Sequence, residues 1–318
     1  MNTLGARSRV VGPAVAHAEH SHLALISLSA APAPGKTAAK PKTTHNDDKI
    51  GEEFRDMQLE SWVLNHGLPE PKSGINLDRW NASSANDRPE ERGFYLEGDI
   101  LYQTHPSATK SAQVGEYYKW PNAQVFIKIS GAFAPHEVNI IKKATQYIEK
   151  HTCIRFFFYQ PGIQKDYVDI TNSHTGCFSS VGRTGGRQVL NLQSPQCVNL
   201  RTATHELIHS LGFFHEQSRS DRDKYIQIEW GNIHSHEINN FKRHDNSNHQ
   251  GLAYDFQSIM HYSRFAFARN PRLPTIRFKP PYEGWEKVAK NDQMTWTDVE
   301  KINKLYKCPS TSASPTSS

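Results

Sequence analysis

Residues 205 to 216 read HELIHSLGFFHE, with three histidines at separations of four and six, a glutamate beside the first and a glycine between the last two. On an α-helix, positions four apart lie about 40° apart around the axis and about 6 Å along it, so His205 and His209 can aim their imidazoles at one point. Zn²⁺ accepts such nitrogens at roughly 2.0 to 2.1 Å. Glu206 sits one residue round from His205, placed to reach a water on the metal rather than the metal itself. Gly212 can take positive φ at little cost, so the helix can stop and the chain turn back, letting His215 approach from another direction. Ala203, Leu207 and Leu211 cover the opposite face and anchor it in a core. Three protein ligands leave one coordination position open, as catalytic zinc requires, and a carboxylate beside acidified water is the machinery of peptide hydrolysis.

The competing explanation is a helix with coincidental histidines, in a chain that has 17 of them. Five fixed positions among some 300 starts arise by chance with a probability on the order of 10⁻⁴, so coincidence loses. His234, His236, His244 and His249 lack ligand-like partners at helical spacing and read as solvated. The net charge of +5 is spread along the chain rather than concentrated on one element, which argues against a nucleic-acid protein. No apolar run reaches the roughly 18 residues of a membrane span.

The four cysteines, Cys153, Cys177, Cys197 and Cys308, show no CxxC spacing, which argues against a zinc ribbon or a thioredoxin-like site. An even number suits two disulfides in an oxidising compartment; three pairings are open, and four buried thiols are the alternative. Residues 1–33 read as a signal peptide or a disordered leader, with LALISLSAAPA as the apolar stretch and small residues near Ala30 to Ala33 for a signal peptidase. Asn81-Ala82-Ser83 is an N-glycosylation sequon if the chain is secreted.

Regular structure is expected from about Tyr117. AQVFIKIS at 123–130, CIRFFFY, YVDITN and QVLNL read as short strands bounded by Gly, Pro, Asn or Ser. Pro135 opens a helix to about His151 with Val138, Ile141, Ala144 and Ile148 on one face. The histidine helix starts near Asn199, and Thr297 to Glu300 reads as a capping box for a last helix.

HExxHxxGxxH is shared by the metzincin metalloproteases, and the residues beyond it narrow the choice. Here Glu216 follows His215, the chain continues as QSRSDRDKY, and SIMHY stands at 258 to 262. Together these resemble the astacin family of zinc endopeptidases over about 94 to 308. The resemblance implies an α+β fold with a twisted N-terminal sheet, two helices and an irregular C-terminal subdomain, the active-site cleft lying between. One Zn²⁺ would be held by His205, His209 and His215, with Glu206 as general base and acid. Met260 would form an apolar floor beneath it. Tyr262 would be a displaceable further ligand that swings away to hydrogen-bond the developing oxyanion. The family arrangement would pair Cys153 with Cys308 and Cys177 with Cys197, and GCFSSVG at 176 to 182 would be the edge strand that a substrate extends.

LEGDI at 96 to 100 resembles the propeptide FxGDI motif with Leu96 for Phe, which implies that Asp99 occupies the open metal position in a zymogen. VGEYYKW resembles the start of mature members and places the activation cut between Lys110 and Ser111, by a trypsin-like protease, with the new amino group approaching Glu216. The expected layout is thus a leader at 1–33, a propeptide at 34–110, a catalytic domain at 111–308 and a disordered Ser/Thr tail at 309–318. The expected protein is a secreted endopeptidase acting on proteins or peptides, with Arg264, Arg269 or Arg277 as candidates for favouring acidic residues past the scissile bond. A zinc-binding pseudoenzyme and an intracellular protein with a disordered leader are the alternatives. The expected architecture is minimal, without an EGF-like or CUB-like module after Cys308, and resembles that of digestive and hatching enzymes.

Overall fold

The computed structural model describes residues 68–83, 85–102, 118–245, 249–285 and 292–309. The leader, the Lys110–Ser111 junction and the tail at 310–318 lie outside them. The chain from 124 to 192 is built on five strands: β1 (Gln124–Ile129), β2 (Arg155–Phe158), β3 (Tyr167–Thr171), β4 (Cys177–Ser179) and β5 (Arg187–Leu192). Their order is β2-β1-β3-β5-β4, parallel throughout except for β4, which runs antiparallel to β5 at the edge. Among the described residues, four α-helices accompany them in chain order: α1 (Pro71–Asp78), α2 (Pro135–His151), α3 (Leu200–Ser210) and α4 (Trp296–Leu305). A parallel neighbour needs a long crossover, and α2 supplies it between β1 and β2.

In α2 the Glu137 carboxylate accepts from Ala134 N at 2.8 Å, tying down the first turn, and Pro135 needs no donor there. Its expected stripe is the buried one: Ile141, Ala144 and Ile148 are wholly inaccessible and Val138 packs at the margin. They join Val125, Ile127, Val168, Ile170 and Leu190 of the sheet, and Leu207 and Leu211 of α3 and its cap, in one apolar cluster. Each such side chain contributes about 1.5–3 kcal/mol by leaving water.

The chain beyond α3 has little regular structure, as expected. A short antiparallel pair, β6 (Ile226–Ile228) and β7 (Ile276–Phe278), stands among 3₁₀ turns around a second cluster rich in aromatics, including Phe241, Tyr254, Phe256 and Tyr262. Two disulfides, Cys153–Cys308 and Cys177–Cys197, staple the fold. The first joins the end of α2 to the chain just after α4.

One expected boundary is corrected. The capping box of α4 is Thr295 with Asp298, not Thr297 with Glu300: Thr295 Oγ1 accepts from Asp298 N at 3.0 Å and Asp298 Oδ2 accepts from Thr295 N at 3.0 Å. Asp298 also accepts from Ser258 Oγ at 2.5 Å and Ile259 N at 3.0 Å, so contacts distant in sequence choose where the helix begins. Among the described residues, no helix is long and apolar enough to cross a membrane.

Candidate metal centre and the segment that closes it

Asn199 starts α3 by accepting from Thr202 N at 2.9 Å, and the following turns of the helix present His205 and His209 on one face. The helix ends at Leu211, and Gly212 follows with φ of 111°, the left-handed turn its missing Cβ permits. The chain then folds back, and Glu216 N donates to Met260 O at 2.9 Å, holding His215 against the loop at 258–262. His209 Nε2 lies 3.1 Å from His205 Nε2, and His215 Nε2 lies 3.3 Å from it. Asp99 completes the group, its Oδ2 3.1 Å from His205 Nε2 and 3.2 Å from His215 Nε2. All four residues are buried.

Three imidazole nitrogens at such separations repel unless something positive lies between them. Each histidine is oriented by its other nitrogen. Nδ1 of His205 meets Ile259 O at 2.9 Å, that of His209 meets Phe213 O at 2.7 Å and that of His215 meets Glu97 Oε2 at 2.7 Å. Those partners accept only, so the network assigns the proton to Nδ1 and leaves each Nε2 lone pair facing the centre. Asp99 Oδ1 and both carboxylate oxygens of the wholly buried Glu206 have no hydrogen-bond donor among the described residues. Orphaned acceptors beside converging nitrogens are the donor set of a divalent cation, and nitrogen with one carboxylate suits zinc. Burial works against ionisation of Asp99, but charge on His215 and His209 in their protonated forms overcomes it and holds the carboxyl well below its usual range; a cation would supply that charge where the imidazoles are neutral. For Glu206 burial, reinforced by Asp99, pushes the carboxyl well above its usual range.

Asp99 is delivered by a tight reversal. Gly98 and Glu97 both have positive φ, Ile100 N donates to Leu96 O at 2.9 Å, and the following chain pairs with the free edge of β4. Ser179 N donates to Asp99 O and Leu101 N to Ser179 O, both at 2.9 Å, a parallel bridge that occupies the edge expected for a substrate.

Residues 112–307 match the family profile described as Astacin, a peptidase family. The chain belongs to the astacin family. Among curated relatives, zinc metalloproteinase nas-4 of Caenorhabditis elegans is 34% identical over 229 residues, covering 69% of this chain and 71% of that one. Zinc metalloproteinase nas-7 of the same species is 39% identical over 250 residues, covering 76% of this chain and 64% of that one. The chain spans 45% of another such relative, nas-8 of Steinernema carpocapsae, and 88% of seminal metalloprotease 1 of Drosophila melanogaster. Among solved structures, high choriolytic enzyme 1, a hatching enzyme zinc-protease from Oryzias latipes, is 34% identical with a TM-score of 0.56, covering 65% of this chain and all of that one. The α+β architecture is therefore that of the family, and by class the chain is a zinc metalloendopeptidase.

The remaining residues expected of an astacin fall as follows. Met260 is buried in the main core cluster with Leu207, Ile208 and Ile259. Tyr262 packs its ring 4.7 Å from that of His215, but its hydroxyl donates to Glu97 O at 2.6 Å rather than joining the ligand group. Glu216 is paired with Lys301 and with Arg219 Nη1 at 2.9 Å, and accepts from Asp255 N at 2.9 Å. Arg264 lies over the Phe265 ring, Arg269 donates to Gly231 O and Arg277 pairs with Glu229. Among the described residues no hydrogen bond or ion pair joins those three arginines to the ligand group.

His244 corrects the reading of that histidine as solvated: its Nε2 donates to Glu97 Oε1 at 2.5 Å, and its ring lies 4.2 Å from Phe214. Glu97 escapes sequence reasoning because it fills the variable position of LEGDI. Buried between His215 and His244, it is held at about 2 because those histidines outweigh its burial. A second fastening joins 88–91 to the start of α3 and the 258–263 loop. Glu90 pairs with Arg201 and accepts from Thr202 Oγ1 at 3.2 Å; Arg88 Nη1 donates to His261 O at 3.1 Å; Ser263 N and Oγ donate to Glu91 at 2.5 and 2.6 Å. The run RPEER carried one usable signal, four charged residues around a proline, but nothing local says that Glu90 and Glu91 are buried.

Proposed function

We propose that this chain is a secreted zinc endopeptidase made as a zymogen, in which Glu206 moves the proton and Asp99 keeps the site silent. One observation carries the reading: three oriented Nε2 atoms converge beside an unpartnered buried carboxylate, and the remaining side is closed by Asp99 from an upstream segment. His205, His209 and His215 would hold one zinc. Bound there, zinc supplies a Lewis acid for the scissile carbonyl and lowers the pKa of water.

Within the protein the steps belong to named groups. With Asp99 withdrawn, water takes its place. Glu206, whose carboxylate oxygens have no hydrogen-bond donor among the described residues, accepts a proton from the attacking water and returns it to the leaving amine. Tyr262, released from the Glu97 carbonyl when that segment departs, is free to donate to the oxyanion. An extended protein or peptide substrate takes the β4 edge now paired with 99–101, gaining main-chain hydrogen bonds. The disulfides and the seminal and hatching relatives support an extracellular setting.

Activation follows from a cut by a trypsin-like protease between Lys110 and Ser111. Glu216 already faces Lys301 and Arg219, so an arriving ammonium group would displace Lys301 rather than meet a bare carboxylate. N-terminal sequencing of the active form is expected to begin at Ser111; another start would move the cut. The mechanism is tested by Glu206→Gln in the processed protein. Proteolysis is expected to fall by about 10²–10⁴ while zinc content stays near one per chain. Full activity of that variant would overturn the assignment.

A further inference from the structure

The chain contains a single N-x-S/T sequon, Asn81-Ala82-Ser83, and it lies upstream of the proposed cut. Its local structure is that of an accessible turn. α1 ends at Asp78, and the loop after it is closed by Trp80 Nε1 donating to Asp87 O at 3.2 Å and by Ala85 N donating to Asn81 O at 2.9 Å. Within that loop Ser83 N donates to Asn81 Oδ1 at 2.9 Å, an Asx turn that sets the serine beside the carboxamide. Asn81, Ala82 and Ser83 are all exposed. Asn81 also stands on the rim of two surface grooves, one lined by Trp80, Arg88 and Leu200 and the other by Phe94 and His236.

We infer that Asn81 carries an N-linked glycan on the latent protein, and that activation removes the sugar with the pro-segment and leaves the mature enzyme without one. This rests on the secretory reading above. The two disulfides are consistent with the oxidising compartment where such transfer occurs. The donor is a lipid-pyrophosphate-linked oligosaccharide. Asn81 Nδ2 forms a bond to the anomeric carbon as the bond from that carbon to the pyrophosphate oxygen breaks. The lipid pyrophosphate leaves with the electron pair, and one Nδ2 proton passes to a base of the transferase. The modified residue belongs to an exposed turn that follows the wholly buried Leu77. The glycan then marks latency: it is present while Asp99 closes the site and absent when the site is open.

The test expresses the full chain in a eukaryotic secretory host, behind its own N-terminus and, in parallel, behind a heterologous signal peptide. The purified zymogen is expected to lose the mass of one glycan on treatment with peptide N-glycosidase, with Asn81 converted to Asp. Ser83→Ala keeps the Asn81 turn, whose donor is a backbone N–H, and is expected to abolish the shift completely; Ser83→Thr is expected to retain it. After cleavage, denaturing electrophoresis is expected to place all lectin reactivity on the pro-fragment. An unmodified Asn81 in zymogen from the heterologous-signal arm, or sugar on the mature fragment, overturns the inference. If only the native N-terminus fails to export the chain, the secretory reading falls while the other arm still decides Asn81.

Discussion

At the scale of single residues, the centre depends on how few atoms separate a ligand from a bystander. His205 and Glu206 are neighbours on one helix, yet one turns a nitrogen to the centre and the other leaves two oxygens without donors. Gly212 is the residue on which the path to His215 turns. A Cβ there would meet Leu305 Cδ2 at 3.6 Å, ordinary contact, so the obstacle to a side chain is the φ of 111° alone. Gly212→Ala is expected to cost about 1–2 kcal/mol by forcing an L-residue into that conformation. Thermal unfolding would register the loss, and zinc content would fall because His215 moves with the turn; an unchanged melting temperature would show that the strain is relieved elsewhere. The three histidines were legible because they lie in one short segment whose spacing encodes their geometry. Glu97 and His244 were not, since 147 positions separate them and neither has a local signature.

At the scale of elements, helices announced themselves better than their ends. The α2 stripe follows from 3.6-residue periodicity, whereas α4 starts where Asp298 finds Ser258 and Ile259, partners that no local pattern contains. The charged clamp between residues 88–91 and α3 shows the same limit. Glu90 is buried, and although burial raises its pKa, Arg201 and His205 bring it down to about 2. A carboxyl whose folded value lies below its ordinary value of 4.5 stabilises the fold above that pH and loses the contribution as pH falls toward 2. The full-length chain is therefore expected to lose stability between those limits, and Glu90→Gln should flatten that part of the profile. At neutral pH the same variant leaves Arg201 without its buried partner, a change typically costing about 3–5 kcal/mol. Chemical denaturation of zymogen and mature forms checks the assignment: the variant should destabilise the first and be absent from the second. Equal pH profiles for the unaltered zymogen and its Glu90→Gln variant would remove the clamp from the account.

At the scale of the whole molecule, the two disulfides act through loops of unequal size. Cys153–Cys308 spans 155 residues and Cys177–Cys197 spans 20. On the loop-entropy model the first is worth about 5 kcal/mol and the second about 3. Replacing both cysteines of a pair with serine is thus expected to lower the melting temperature more for the long loop, and the reverse order would mean that native contacts outweigh chain entropy. The long bridge also ties α2, one wall of the sheet core, to α4, whose Lys301 reaches Glu216 beside His215. The sequence by itself determined the histidine constellation, the family, the strands and the apolar face of α2, because each is written in spacings shorter than a few helical turns. Only the tertiary structure decided that Glu97 reaches His215 from the same reversal that carries Asp99, that Glu90 and Arg201 meet, and that Tyr262 is held off the ligand group. Those contacts join residues tens to hundreds of positions apart, and burial of their charges becomes favourable only once the folded chain brings the partners within hydrogen-bonding distance.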